Sequence, residues 1–375
     1  MKTFVYHSLI TEENLCNLKS ERKAITKGLE QGRKMVVFGR RNTGKTSLVK
    51  NIVLKDFKRK HKNAFVMFCD LQGVSSLTDI LHRVSIGFQE AFLAAFPVKS
   101  KLNEMLETIK GLRPKIELDP IMGVSLSLGV DTKSTQSFVE IFREITKISR
   151  NFSTALIFDE FQDVSTVTQA EALLRDVLQN LPHNIPIVIL GSKKHLLMKI
   201  FTAPNAPFAD WGEDIEFSTI TYEEYHSYIA ERFALHSLTL NKEDSIYLQT
   251  LLSRMPEPIN IVCATIVDLY SKKLSVISQS EINQALIETL NRIGSRFEEY
   301  LKTFTAKEVM FLSQVAKDQP VREPNGKIFV AKTGLSQKGV NLIFHKLEND
   351  AIVYVTKEGV ELANPLLAHY LRKYR

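Results

Sequence analysis

Short apolar runs alternating with amphipathic stretches organise the first 217 residues. Met35-Val36-Val37-Phe38, Ala64 to Asp70, Ala155-Leu156-Ile157-Phe158, Ile185 to Leu190 and Ile215 to Phe217 each read as a strand. Near-continuous apolar character is what a parallel strand covered on both faces requires. After the first run, Leu48, Val49, Ile52 and Val53 keep helical spacing. The pattern predicts an α/β core, a parallel five-stranded sheet with helices on both faces. Between the second and third runs, residues 112–136 change period: Ile116, Leu118, Val124, Leu126, Leu128 and Val130 alternate with polar residues, with Pro120 and Gly123 near the break. A period of two predicts a β-hairpin inserted into the core, an elaboration of the fold or an edge that a partner covers.

From Ser218 to about Lys302 the pattern turns helical, with Tyr222, Tyr225, Ile229 and Phe233 on one face and Ile259, Ile261, Val262, Ile266 and Leu269 farther on. These aromatics read as core residues. Beyond Leu301 the spacing predicts helices over Ala306 to Val315, Lys327 to Thr333 and Ser336 to Asn349, the last capped by Ser336. Ile352 to Val355 and Val360 to Leu362 follow as a two-stranded wing. This order is a winged helix-turn-helix, whose third helix can enter a DNA major groove. The expected domains are a core over 1–217, a helical lid over 218–300 and a winged helix over 301–375.

With 375 residues, 44% of them apolar and 24% charged, the chain is expected to fold as a multidomain soluble protein. Cys16, Cys69 and Cys263 are odd in number and far apart, which excludes a zinc site or disulfide framework and fits a reducing, cytoplasmic setting. No apolar run reaches the length of a membrane span, and the first residues do not read as a signal peptide. The net charge of +7 admits an acidic partner, and residues 301–375 hold 12 Lys/Arg against 7 Asp/Glu, a net of +5. Lys338, His345 and Lys346 are the basic residues of the third helix and the candidates for contact with duplex DNA. A protein partner is the other expectation for a winged helix, and an oligomer is compatible with the sequence.

The chemistry concentrates after the first strand. Gly39-Arg40-Arg41-Asn42-Thr43-Gly44-Lys45-Thr46 satisfies the pattern GxxxxGK[ST], placed between a strand and a helix as a phosphate-binding loop demands. Gly39 and Gly44 free the backbone to aim N–H groups at phosphate, and the helix start adds its positive dipole end. Lys45 is expected to reach the β- and γ-phosphates and Thr46 to ligate Mg²⁺. Arg41, Asn42, Thr43 and Ser47 complete the candidate nucleotide contacts. The run Ala155 to Glu160 ends in two acids, of which Asp159 would serve Mg²⁺ and Glu160 would orient the attacking water. Ser192, after the strand ending at Leu190, is the candidate small polar residue near the γ-phosphate. The cofactors implied are ATP and Mg²⁺.

The stretches GRRNTGKTSLV, LIFDEFQDV, LLRDVLQNLPHNIPIVILGSKKHLLMKIF and APFADWGEDIEF together resemble the archaeal-type ATPase family, of the STAND branch of AAA+ ATPases. The resemblance spans most of the chain and implies an ATPase core, a helical lid and a C-terminal winged helix. Three places depart from the family's pattern. Lys19-Ser20-Glu21-Arg22-Lys23 matches its acidic box only partly. Pro207-Phe208-Ala209-Asp210-Trp211-Gly212 carries no arginine to transfer as a finger. Arg254-Met255-Pro256 keeps the proline of the lid's Gly-x-Pro element without its glycine. The resemblance makes Pro256 a candidate contact to the nucleotide base, and Arg254 either a lid sensor or a solvent-facing residue. The expected function is an ATP-hydrolysing switch that couples nucleotide state to DNA or protein binding. The alternative is a DNA-binding or adaptor protein of a mobile-element, defence or signalling assembly, with ATP as a structural ligand.

Overall fold

The computed structural model describes residues 4–96, 112, 114–119, 123–128, 135–271 and 276–375. These fall into two compact units. One holds residues 18–40 and 45–218, the other residues 1–17, 41–44 and 219–375.

The first unit runs α1 (Lys19–Glu30), β1 (Lys34–Phe38), α2 (Lys45–Leu48), α3 (Leu54–Lys60), β2 (Ala64–Asp70), α4 (Leu77–Ala95), β3 (Pro114–Asp119), β4 (Gly123–Leu128), α5 (Thr135–Ile148), β5 (Ser153–Asp159), α6 (Ala170–Gln179), β6 (Ile187–Gly191), α7 (Lys194–Thr202) and β7 (Glu213–Glu216). Five strands form one sheet in the order β2-β5-β6-β1-β7, and every pairing in it is parallel. Alternation along the strands supplies both faces. Val36, Phe38, Met67, Leu156, Phe158, Ile187 and Ile189 join one core with residues of α4, α5 and α6. Met35 points the other way, where Gly28 lets α1 approach so closely that a Cβ there would lie 2.1 Å from the Met35 sulfur. The expected hairpin is present as the antiparallel pair β3–β4, with Ile116 opposite Leu126. Its turn and the expected alternating residue Val130 lie outside the described residues.

Two features of this unit differ from the sequence pattern. Between α2 and α3 the helix widens into a π turn over Val49–Val53, which apolar spacing alone does not reveal. The last strand is Glu213–Glu216, shifted toward the N-terminus from the apolar run at 215–217. Pairing with β1 sets its register, Val36 opposite Asp214 and Phe38 opposite Glu216, so backbone hydrogen bonding rather than side-chain burial defines it.

The second unit contains α8 (Tyr222–Ala234), β8 (Thr239–Leu240), α9 (Lys242–Leu251), α10 (Pro256–Tyr270), β9 (Val276–Ile277), α11 (Gln279–Leu301), α12 (Ala306–Asp318), α13 (Lys327–Thr333), α14 (Gln337–Asn349), β10 (Val353–Val355), β11 (Val360–Leu362) and α15 (Pro365–Tyr374). Three helices start with reciprocal capping boxes, Thr221 with Glu224, Ser278 with Glu281 and Thr305 with Glu308. Ser336 caps α14 through the Gly339 N–H, and β10 and β11 pair antiparallel. The N-terminal segment is bound to this unit: the buried Arg232 stacks on Tyr228 at 3.5 Å and donates to the Glu13 carbonyl, and Asn260 donates to the Val5 carbonyl at 2.7 Å. Among the described residues, no helix is long and apolar enough to cross a membrane.

Candidate active site

In the first unit the ends of β1, β5 and β6 converge, because parallel strands deliver their C-terminal residues to one edge of the sheet. Gly39 follows β1 in contact with Phe217, and a Cβ at position 39 would lie 2.8 Å from the Phe217 Cβ. Lys45 opens α2 almost fully buried, and its ammonium donates to the carbonyls of Gly39 at 2.8 Å and Arg40 at 2.7 Å. The loop therefore curls around the lysine that its motif places six residues after its first glycine. At the tip, Asn42 and Gly44 both adopt positive φ, 61° and 93°. Gly44 takes that conformation without the strain a side chain brings. Arg41 and Asn42 are exposed, Thr43 is half-buried and Ser47 is buried in the first turn of α2.

Thr46 donates its hydroxyl to Asp159 Oδ2 at 2.8 Å, which joins the phosphate-loop helix to the end of β5. Asp159 Oδ1 accepts from the Glu160 N–H at 2.9 Å. Burial pushes the Asp159 carboxyl above its usual range; the Thr46 hydroxyl opposes this, and the neighbouring charges of Glu160 and Asp70 add to it. Asp70 lies opposite Asp159 in the β2–β5 register. A hydroxyl beside a buried carboxylate is oxygen-donor chemistry of the kind a hard divalent cation takes, although among the described residues no three acids, histidines or cysteines are grouped to hold a metal ion.

Glu160 sits at φ 51° and ψ 40°, a left-handed conformation uncommon for a residue with a side chain, and leads into a tight turn over Phe161–Thr166. Its Oε2 accepts from Ser192 Oγ at 2.7 Å and from Gln162 Nε2 at 2.5 Å. Ser192, expected near a γ-phosphate, is thus placed against the second acid of the pair. Gln162 is fully buried, and the sequence carried no chemical signal for it beyond its position two residues after that acid.

The remaining candidates lie in the second unit. Pro256 occupies the first turn of α10, where its missing N–H costs nothing. Its neighbour Glu257 accepts from the loop-tip Asn42 Nδ2 at 2.6 Å and from the His7 backbone N–H at 3.2 Å. Asn42 belongs, with residues 41–44, to this same unit, so the bond joins positions 215 apart within it, which spacing does not show. Arg254 is half-buried over the Tyr222 ring at 4.7 Å, so it is occupied within its own unit rather than turned to solvent. On α14, Lys338, His345 and Lys346 are all exposed; His345 lies 3.5 Å from Glu348 and Lys346 pairs with Glu308 at 2.6 Å.

A parallel sheet of this order, with a glycine-lysine loop after β1, an acidic pair after β5 and β6 inserted between the two, defines the α/β P-loop class with the AAA+ strand arrangement. Residues 29–198 match the family described as AAA domain. A Walker-type ATPase of Pyrococcus abyssi has the same fold, with a TM-score of 0.67 at 15% identity over 98% of this chain and 99% of its own. The ORC2 protein of Aeropyrum pernix, in its ADPNP–ADP complexes, aligns with a TM-score of 0.56 at 12% identity over 99% of this chain and 96% of its own. No curated protein sequence matches the chain. The fold is that of the P-loop AAA+ proteins.

Proposed function

We propose that the protein binds ATP and hydrolyses it as a molecular switch, of the archaeal-type, STAND-branch kind, that couples its nucleotide state to DNA or protein. The observation that carries this reading is the joining of Thr46 to Asp159 at 2.8 Å, with Glu160 held beside Ser192 on the next strand end. Lys45, Thr46, Asp159 and Glu160 are the set that a phosphate-cleaving P-loop requires. The solved relatives support it: one is titled a Walker-type ATPase and the other carries ADPNP and ADP.

In this reading Gly39, Gly44 and the N–H groups of Arg41 to Ser47 cradle the phosphates, and Lys45 leaves the loop carbonyls to neutralise them. Thr46 and Asp159 would hold Mg²⁺, which when bound would supply charge neutralisation to the phosphates. Glu160 orients the water, and Ser192 keeps that carboxylate in register with the γ-phosphate. Pro256 packs near the base. Residues 1–217 act as the ATPase core, 218–300 as the lid and 301–375 as a winged helix, in a cytoplasmic protein. The exposed Lys338 and His345 face of α14 supports duplex DNA as its partner.

The test is steady-state ATP hydrolysis and nucleotide binding by wild type, Lys45→Ala and Glu160→Gln, each with and without duplex DNA. Lys45→Ala is expected to lose nucleotide binding. Glu160→Gln should keep it and lose turnover by about 100-fold or more. Unchanged ATP affinity in Lys45→Ala would sink the site assignment. Tight binding with no wild-type turnover under either condition would favour the other reading, a DNA-binding or adaptor protein in which ATP is structural.

A further inference from the structure

Gln162 is a fully buried amide that bonds to the working end of another side chain. Nε2 donates to Glu160 Oε2 at 2.5 Å and to Asp163 Oδ1 at 3.3 Å, while Oε1 accepts from the Ser192 N–H at 3.3 Å. The partners fix which end is nitrogen, since the carboxylates can only accept and the backbone N–H can only donate. One amide therefore spans the end of β5 and the residue after β6. Gly191 leaves the room for it: a Cβ there would lie 2.7 Å from Gln162 Oε1. A buried glutamine needs only some partner, and backbone groups usually provide it. Here the donor is spent on a carboxylate, the stronger charge-assisted bond.

Both donors to Glu160, Gln162 and Ser192, engage Oε2, so Oε1 accepts from none of the described residues. The left-handed backbone at Glu160 brings the carboxylate to this clamp, and strain of that kind persists when surrounding contacts over-determine it. We propose that Gln162 is a positioning residue for hydrolysis: it fixes the Glu160 carboxylate through Oε2 and leaves Oε1 as the oxygen that orients water. The inference rests on the ATPase reading above.

The test uses the full chain with Gln162→Met, similar in volume and without the amide, and Gln162→Glu, which keeps the shape and turns the donor into an acceptor. Single-turnover and steady-state rates, binding of a slowly hydrolysed ATP analogue and thermal midpoints are measured for each. Both variants should lose about 10-fold or more in kcat with KM and analogue binding changed by less than about 3-fold, the mark of a transition-state effect. In the Glu160→Gln background, Gln162→Met should cause no further fall, because the two residues act as one unit. An unchanged or raised kcat, a loss of analogue binding matching the loss of rate, or a fall that persists without Glu160 would each overturn the proposal. If Gln162→Met melts too early to assay, Gln162→Glu decides the matter by the same criteria. Absence of wild-type turnover removes the ATPase reading and this inference with it, and turnover that does not depend on Glu160 removes the role given to Glu160 and this inference. Glu160-dependent turnover with wild-type behaviour in the Gln162 variants removes this inference alone.

Discussion

A methyl group at position 39 has nowhere to go. With the Phe217 Cβ 2.8 Å from the site of an added Cβ, Gly39→Ala must push apart the start of the phosphate loop and the residue after β7. Overpacking of this sort costs about 1–3 kcal/mol, and thermal unfolding should register it as a lowered midpoint. Nucleotide binding should weaken as well, because the Gly39 carbonyl is one of the two that hold Lys45. A midpoint equal to wild type would mean that the loop relaxes freely. The loop residues were legible because their chemistry is local: a glycine, a lysine and a hydroxyl at fixed spacing. Gln162 and Glu257 were not. Each acquires its role from a partner that only the folded chain supplies, Ser192 for one and Asn42 for the other.

Glu308 shows how an element boundary carries more than its own helix. Its carboxylate accepts from the Thr305 N–H at 2.7 Å and hydroxyl at 2.9 Å, closing the cap of α12, and pairs with Lys346 of α14. The Lys346 hydrogen bond, aided by those from Thr305, holds this carboxyl below its ordinary 4.5. A depressed carboxyl pKa stabilises the fold above the unfolded value and loses that contribution as pH falls through the folded one. Glu308→Gln should therefore cost about 1 kcal/mol at pH 7, and the gap in thermal midpoint from wild type should close as pH drops below about 4.5. A gap that persists in acid would place the cost in packing instead. Elements with strong periodicity were readable in the sequence: the buried strands as apolar runs, the inserted hairpin by its alternation, α14 by its Ser336 cap. β7 was misplaced because Glu-Asp-Ile-Glu has no apolar pattern and is a strand only by pairing with β1. The π turn escaped because widening a helix by one residue leaves its apolar spacing nearly intact.

At the scale of the whole molecule, charge is unevenly spread: residues 301–375 carry +5 of the net +7. If α14 contacts duplex DNA, Lys338→Ala should weaken binding and reduce the slope of log affinity against log salt by about 1, measured by fluorescence anisotropy. An unaltered slope would move the DNA contact elsewhere or replace DNA with a protein partner. Lys338 is the cleaner probe, since removing Lys346 also strips Glu308 of its partner. The strand order carries a different consequence, one about time. Lys34 pairs with Ile187 and Met35 with Glu213, so the strand that launches the phosphate loop leaves the ribosome long before either flanking strand has been translated. Until then Met35, Val36 and Val37, all fully buried in the finished fold, form an apolar segment with two bare edges, and α1 is the nearest cover upstream. Long-range parallel pairing is slow to form and exposed to misassociation while it waits. The loop after β1, translated well before both flanking strands, is thus among the last parts of the core to be completed, its frame closing only once synthesis has passed residue 216.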